Sequence, residues 1–236
     1  ITLFLGAVGF NFLNAQTGIT DSLLQIYKNA NNDSARTMAL EQLVNDQSNS
    51  NWLYHNAQIL KIAQNNLRKK DLSKTKKAFY MNAISFYYNS KAFDYIEHDD
   101  IRSAEFCHRR SLIIGQLTRS YAEMATAANG LGYVKQYLGQ NDSALLYYEK
   151  SVKYHRAAGN DYDATAPLGN MASIYGQKGD VKKSLEMNIE VLHAHEKNKD
   201  KFSTAYSLIN IGQIYQREKD FDLAENYFRR ALSIRK

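Results

Sequence analysis

Asn170 and Asn210 stand forty residues apart, and Asn129 falls one place short of the same interval. A carboxamide donates and accepts hydrogen bonds at once, which suits it to gripping the N–H and C=O groups of a bound peptide backbone. Tyr133, Ser173 and Gln213 share a position further along at the same interval, with Gln136, Gln177 and Arg217 as neighbours. The competing reading of these residues is an ordinary solvated polar face.

Other chemistry-bearing residues lead elsewhere. There is no glycine loop to cradle phosphate, no His-Glu-x-x-His pair and no paired cysteines for zinc. His193 and His195 lie two apart, so a helix points them to different faces, and they are expected as surface residues rather than as a metal pair. His98, Asp99 and Asp100 could form a weak metal site, but a charged turn is the preferred reading. Cys107 is the single cysteine, which excludes an internal disulfide; beside Phe106 it reads as a packing residue in preference to a reactive thiol. The basic run Arg68, Lys69, Lys70, Lys74, Lys76 and Lys77 holds no aromatic residue and reads as a solvated helix end, a polyanion patch being the alternative. The sequence thus points to no catalytic residue, cofactor, metal or nucleic-acid partner.

The elements that must position the amides are set by a repeat. Ala104, Ala144, Ser184 and Ala224 are each forty residues apart, as are Ala92, Gly132, Ala172 and Gly212. A fixed period of this size indicates stacked units in place of one globular core. One proline in 236 residues leaves helices uninterrupted. Periodic apolar residues predict helices over 35–44, 52–67, 74–96, 101–117, 121–138, 142–157, 165–177, 181–196, 204–217 and 221–234, after a short one near 23–27. Asp33 or Ser34 is expected to cap the helix at 35, and Pro167 falls in a first helical turn, where its missing donor costs little.

The segment Leu208-Ile209-Asn210-Ile211-Gly212-Gln213-Ile214-Tyr215, followed by Ala224, Phe228 and Ala231, resembles a tetratricopeptide repeat. Leu131 and Gly132 with Ala144, Tyr148 and Ser151 match the same pattern. Met171, Ala172, Tyr175, Ser184 and Val191 match it with Asn188 where an aromatic is usual. A fourth unit, over 85–118, departs further, with His108 at the aromatic position and Lys91 before Ala92. The resemblance implies an all-α, right-handed superhelical solenoid of antiparallel helix pairs. Many of the 17 tyrosines then become packing residues with a polar tip. The period exceeds the family's usual ~34 residues, and the surplus is expected in the second helix and its link. HEAT-type repeats also run near ~40 residues but lack this small-aromatic-small spacing.

In such an array the first helices line the concave face. The resemblance therefore implies a peptide-binding set of Asn129, Tyr133, Gln136, Asn170, Ser173, Gln177, Asn210, Gln213 and Arg217. The carboxylate-clamp subtype is not expected, because Thr126, Gly169, Tyr206 and Ile209 occupy places where it needs Lys and Arg.

Residues 1–13 are almost wholly apolar and lead into Asn14, Ala15 and Gln16, the pattern of a secretory signal peptide cut after Ala15 and lacking its basic start; a buried helix or strand is the alternative. The run is shorter than the ~20 residues a membrane span needs. The expected organisation is a signal peptide over 1–15, degenerate helices over 16–51 and an array of four to five helix pairs over 52–236 that continues past Lys236. The layout resembles the front of bacterial signalling proteins in which such repeats precede a membrane span and a histidine kinase or DNA-binding output. The expected function is a protein- or peptide-binding sensory region, exported to the periplasmic side or membrane-anchored. Alternatives are the front of a sensor kinase whose catalytic part lies beyond residue 236, and a free-standing scaffold, periplasmic or cytoplasmic.

Overall fold

Among the described residues, seven with positive φ punctuate the chain at twenty-residue steps: Asp99, Arg119, Gly139, Gly159, Gly179, Lys199 and Lys219, with φ from 57° to 78°. Each ends a helix in the left-handed conformation that lets the following N–H reach back to a carbonyl five residues earlier. The bonds recur in register, from the Asp100 N–H to Tyr95 O at 2.8 Å, through Gln140 to Lys135 O at 2.8 Å and Asp180 to Tyr175 O at 2.9 Å, to Asp220 to Tyr215 O at 3.0 Å. The residue that closes one helix also opens the next, except at Asn160, which opens the turn before the helix at Thr165. Side chains of Asp100, Asn160, Asp180, Asp200 and Asp220 each accept a hydrogen bond from the backbone N–H three residues on. Ser120 does the same for Glu123, whereas Gln140 makes no side-chain cap. Short polar side chains at this position satisfy donors that a helix start leaves unpaired.

The computed structural model describes residues 13–46 and 49–234. All of the regular structure among them is α-helical. The helices are α1 Leu13–Asn29, α2 Asp33–Asn45, α3 Trp52–Leu67, α4 Lys74–Glu97, α5 Ile101–Thr118 and α6 Tyr121–Tyr137. They continue with α7 Asn141–Ala157, α8 Thr165–Gln177, α9 Val181–Lys197, α10 Lys201–Arg217 and α11 Phe221–Ile234. Residues 1–12 of the expected signal peptide lie outside the described residues, and 13–15 begin α1. Asn32, not Asp33 or Ser34, caps α2, its Oδ1 accepting from the Ala35 N–H at 2.9 Å. α10 starts at Lys201, three residues before the expected Thr204, because Asp200 is its cap.

The surplus over a shorter repeat is not lodged in the second helix alone. α6, α7, α9 and α10 are each 17 residues long, so the forty-residue unit divides into equal halves joined by the same turn. α4 has 24 residues, yet its end is in phase: Ala92 and Asp99 keep the interval with Gly132 and Gly139.

The chain forms two compact units that divide at Ile114 and Gly115, inside α5. In the first, Leu40 and Leu43 of α2, Ile59 and Ala63 of α3, and Tyr80 and Ala83 of α4 make one core. Asn49 locks the break between α2 and α3, its amide donating to Leu43 O at 2.7 Å and lying 2.8 Å from His55 Nδ1. In the second unit Ala144, Tyr148, Leu168, Met171 and Ile174 form one cluster, and Leu192, Leu208, Ile211 and Ala231 another.

Candidate functional site

In two of the helix pairs a glycine on the first helix meets a ring sixteen places later on the second. A Cβ added to Gly132 would lie 2.6 Å from the Tyr148 ring, and one added to Gly212 would lie 2.6 Å from the Phe228 ring. Those distances are impossible for real atoms, so a large ring at 148 or 228 requires glycine opposite. The other two pairs follow the converse rule. Ala92 is sixteen before His108 and Ala172 sixteen before Asn188, so where the first residue carries a methyl group the second is smaller than tyrosine or phenylalanine.

At Asn188 the smaller side chain leaves space. A cleft of about 390 Å³ opens among α8, α9 and α10. Its floor is Ala172, Gly176, Ser184 and Asn188, and its walls include Ser173, Gln177, Asn210, Gln213 and Arg217. The floor is internally bonded: Ser184 Oγ donates to Ala172 O at 2.9 Å, and Asn188 Nδ2 donates to Ser184 O at 2.8 Å. No carboxylate lines the cleft, and Arg217 is in no ion pair among the described residues. The cleft therefore offers amides, hydroxyls and one cation, a combination suited to a peptide backbone and an anionic group.

Five of the nine sequence-derived site residues thus share this cleft: Ser173, Gln177, Asn210, Gln213 and Arg217. Asn170 is half-buried on α8, outside the lining. On α6, Gln136 is engaged structurally, its Oε1 accepting from the buried Tyr148 hydroxyl at 2.7 Å. Tyr133 is half-buried, and Asn129 holds a buried side-chain oxygen without a hydrogen-bond partner among the described residues. Spacing alone missed Asn188, which faces the cleft. The signal was its departure from the aromatic type of its equivalents.

The other titratable residues have structural roles. His195 is buried, not on the surface, with Nδ1 2.8 Å from Ser207 Oγ, and burial lowers its pKa; His193 is exposed beside Glu196. His98, Asp99 and Asp100 form the turn between α4 and α5, with Asp99 left-handed and Asp100 capping. Among the described residues no cluster of three His, Cys, Asp or Glu side chains could hold a metal ion. Cys107 is buried, and burial pushes its thiol up to about 11. Asp200 is held down at about 2 by hydrogen bonds from Ser203 and the Tyr162 hydroxyl. No described helix is long and apolar enough to cross a membrane.

A family model described as tetratricopeptide repeat matches residues 162–236, which contain α8 to α11. No curated protein matches the chain by sequence. Among solved structures, BtubC (BKLC) from P. vanneervenii is similar with a TM-score of 0.69 at 16% identity, over 94% of this chain and 89% of that one. A Podosopora anserina protein of kinesin light chain type, built of nearly identical TPR-like repeats, is similar with a TM-score of 0.54 at 14% identity, over 87% of this chain and 97% of that one. At these identities the likeness is one of fold.

Proposed function

Since residues 162–236 match a tetratricopeptide repeat family model and the fold of the chain is TPR-like, we propose that it is a protein-interaction scaffold whose cleft among α8, α9 and α10 holds an extended peptide. Asn210, Gln213 and Gln177 grip the backbone, and Arg217 meets an acidic side chain of the ligand. The observation that carries this reading is the acid-free, amide-walled cleft left open where Asn188 replaces a ring.

Peptides selected from a random display library against the chain test it. Ala at both Asn210 and Gln213 should weaken a selected peptide at least about tenfold, as expected for two lost hydrogen bonds. Ala at Asn170, outside the lining, should weaken it less. The pair Ala172→Gly with Asn188→Phe rebuilds the Gly212–Phe228 arrangement and should close the cleft. A peptide that binds all of these variants equally well is not bound there.

The setting of this scaffold is proposed to be the extracytoplasmic sensory part of a signalling protein, with a kinase or regulator output beyond residue 236 as one form of it. The apolar run of residues 1–13 followed by Asn14, Ala15 and Gln16 supports export. A reporter enzyme active only outside the cytoplasm, fused after Lys236, should be active; activity confined to a cytoplasmic reporter would exclude export.

A further inference from the structure

The helix pair α4–α5 departs from its equivalents at two positions that elsewhere build the core. Forty-residue steps from Lys91 reach Leu131, Met171 and Ile211, all buried. The same steps from Asp94 reach Val134 and Ile174, which are buried, and Ile214, which is half-buried. Here the core places hold an ion pair instead, with Lys91 Nζ 2.6 Å from Asp94 Oδ2 and 5.0 Å above the centre of the Tyr95 ring. Partial burial of two charges stabilises poorly compared with apolar side chains of similar size. Packing alone therefore gives no reason for this pair, since three equivalents pack without it.

Beside the pair lies a hollow of about 420 Å³ belonging to this one hairpin, within the size range of small-molecule sites. Tyr87, Tyr88, Tyr95 and Phe106 supply aromatic walls, and Lys91 and Arg102 supply two cations. Asp94 holds the Lys91 ammonium in place. Arg102 is exposed and in no ion pair among the described residues, although Asp100 is near enough to feel its charge. Among the described residues no carboxylate lines the hollow. Aromatic faces favour a planar apolar body, and a guanidinium favours a carboxylate through paired, charge-assisted hydrogen bonds. A peptide backbone would need a groove running over several helix pairs, whereas this hollow is confined to one.

We propose that the α4–α5 hollow is a second binding site, independent of the peptide cleft, for a small aromatic carboxylate whose acid group is taken by Arg102 and Lys91. The test uses phenylacetate and its uncharged analogue phenylacetamide as probes on the 236-residue chain, read by ligand-observed NMR and calorimetry. Phenylacetate should bind at millimolar concentration, and phenylacetamide at least about tenfold more weakly. Arg102→Gln, a surface change, should weaken phenylacetate by a similar factor. Lys91→Leu with Asp94→Val installs the residues found at 131 and 134; it should retain or raise Tm while losing the carboxylate preference. No phenylacetate binding, equal binding of acid and amide, or equal binding to wild type and Arg102→Gln overturns the proposal. Should the double variant fail to fold, the ion pair is a structural necessity and the inference falls. An acidic peptide bound at this hairpin in place of phenylacetate also overturns it.

Discussion

Gly132 and Gly212 are held by rings, and that makes them sharp reporters of the packing. Ala at either position drives a methyl group into Tyr148 or Phe228 and should cost about 1–3 kcal/mol, read as a lower urea midpoint. Gly169 has no neighbour within 4 Å of an added Cβ, so Gly169→Ala should stabilise α8 by about 0.5–1 kcal/mol. His108 is the second informative residue. It is fully buried, Nδ1–H donates to Asn89 Oδ1 at 3.1 Å, and Nε2 has no partner among the described residues. Burial lowers its pKa to about 4, and those of His155 and His195 are also lowered, chiefly by burial. Each group's folded pKa lies below its unfolded value of about 6.5, so the unfolded chain binds more protons between the two. Stability should therefore be full above pH ~6.5 and fall as pH drops through that window toward 4, with His108 contributing on the order of 3 kcal/mol. His108→Asn, the residue type paired with Ala172, should flatten the slope in urea titrations between these pH values; an unchanged slope would clear His108. The small-residue series was plain in the sequence. The converse rule was not, because Asn188 and His108 look like lapses until their alanine partners are placed sixteen residues away.

At the scale of the element, helix ends followed from local chemistry. Asp180 and Asp220 sit where helices restart, and the structure keeps almost every expected boundary to within a residue or two. Asp180→Ala and Asp220→Ala should each lower stability by about 1 kcal/mol. Lys199 and Lys219 occupy left-handed backbone at φ 57° and 64°, where a side chain costs about 1–2 kcal/mol. Glycine at either should raise the thermal midpoint; a fall would mean that side-chain contacts outweigh the backbone strain. The twenty-residue rhythm escaped the sequence reading because its members differ in type. Arg119, Gly159 and Lys199 share a conformation, not a chemistry. The cleft was half legible for a related reason. Periodicity can assign residues to a helix face, but Gln136 is drawn into a bond with Tyr148 and Asn170 stays outside the lining, and both outcomes depend on contacts between helices.

At the scale of the molecule, helix pairs within one unit lean on their neighbours, and stability should decline where neighbours are few. α11 buries Ala224 and Ala231 but exposes Phe221, Leu223 and Leu232. Its amides should exchange with deuterium much faster than those of α6, which buries eight residues; equal protection would argue for a single cooperative block. The repeated turn carries one more consequence. Because the same left-handed backbone and the same backbone hydrogen bond recur at residues 99–100, 139–140, 179–180 and 219–220, the chain has interchangeable splice points. Removing 140–179 would join Gly139 directly to Asp180, leaving a complete turn on both sides of the seam. A gene that slips by forty codons should thus keep every turn while re-pairing the helices, Gly132 with Asn188 in this case. A slip of twenty would bring two helices of the same kind together.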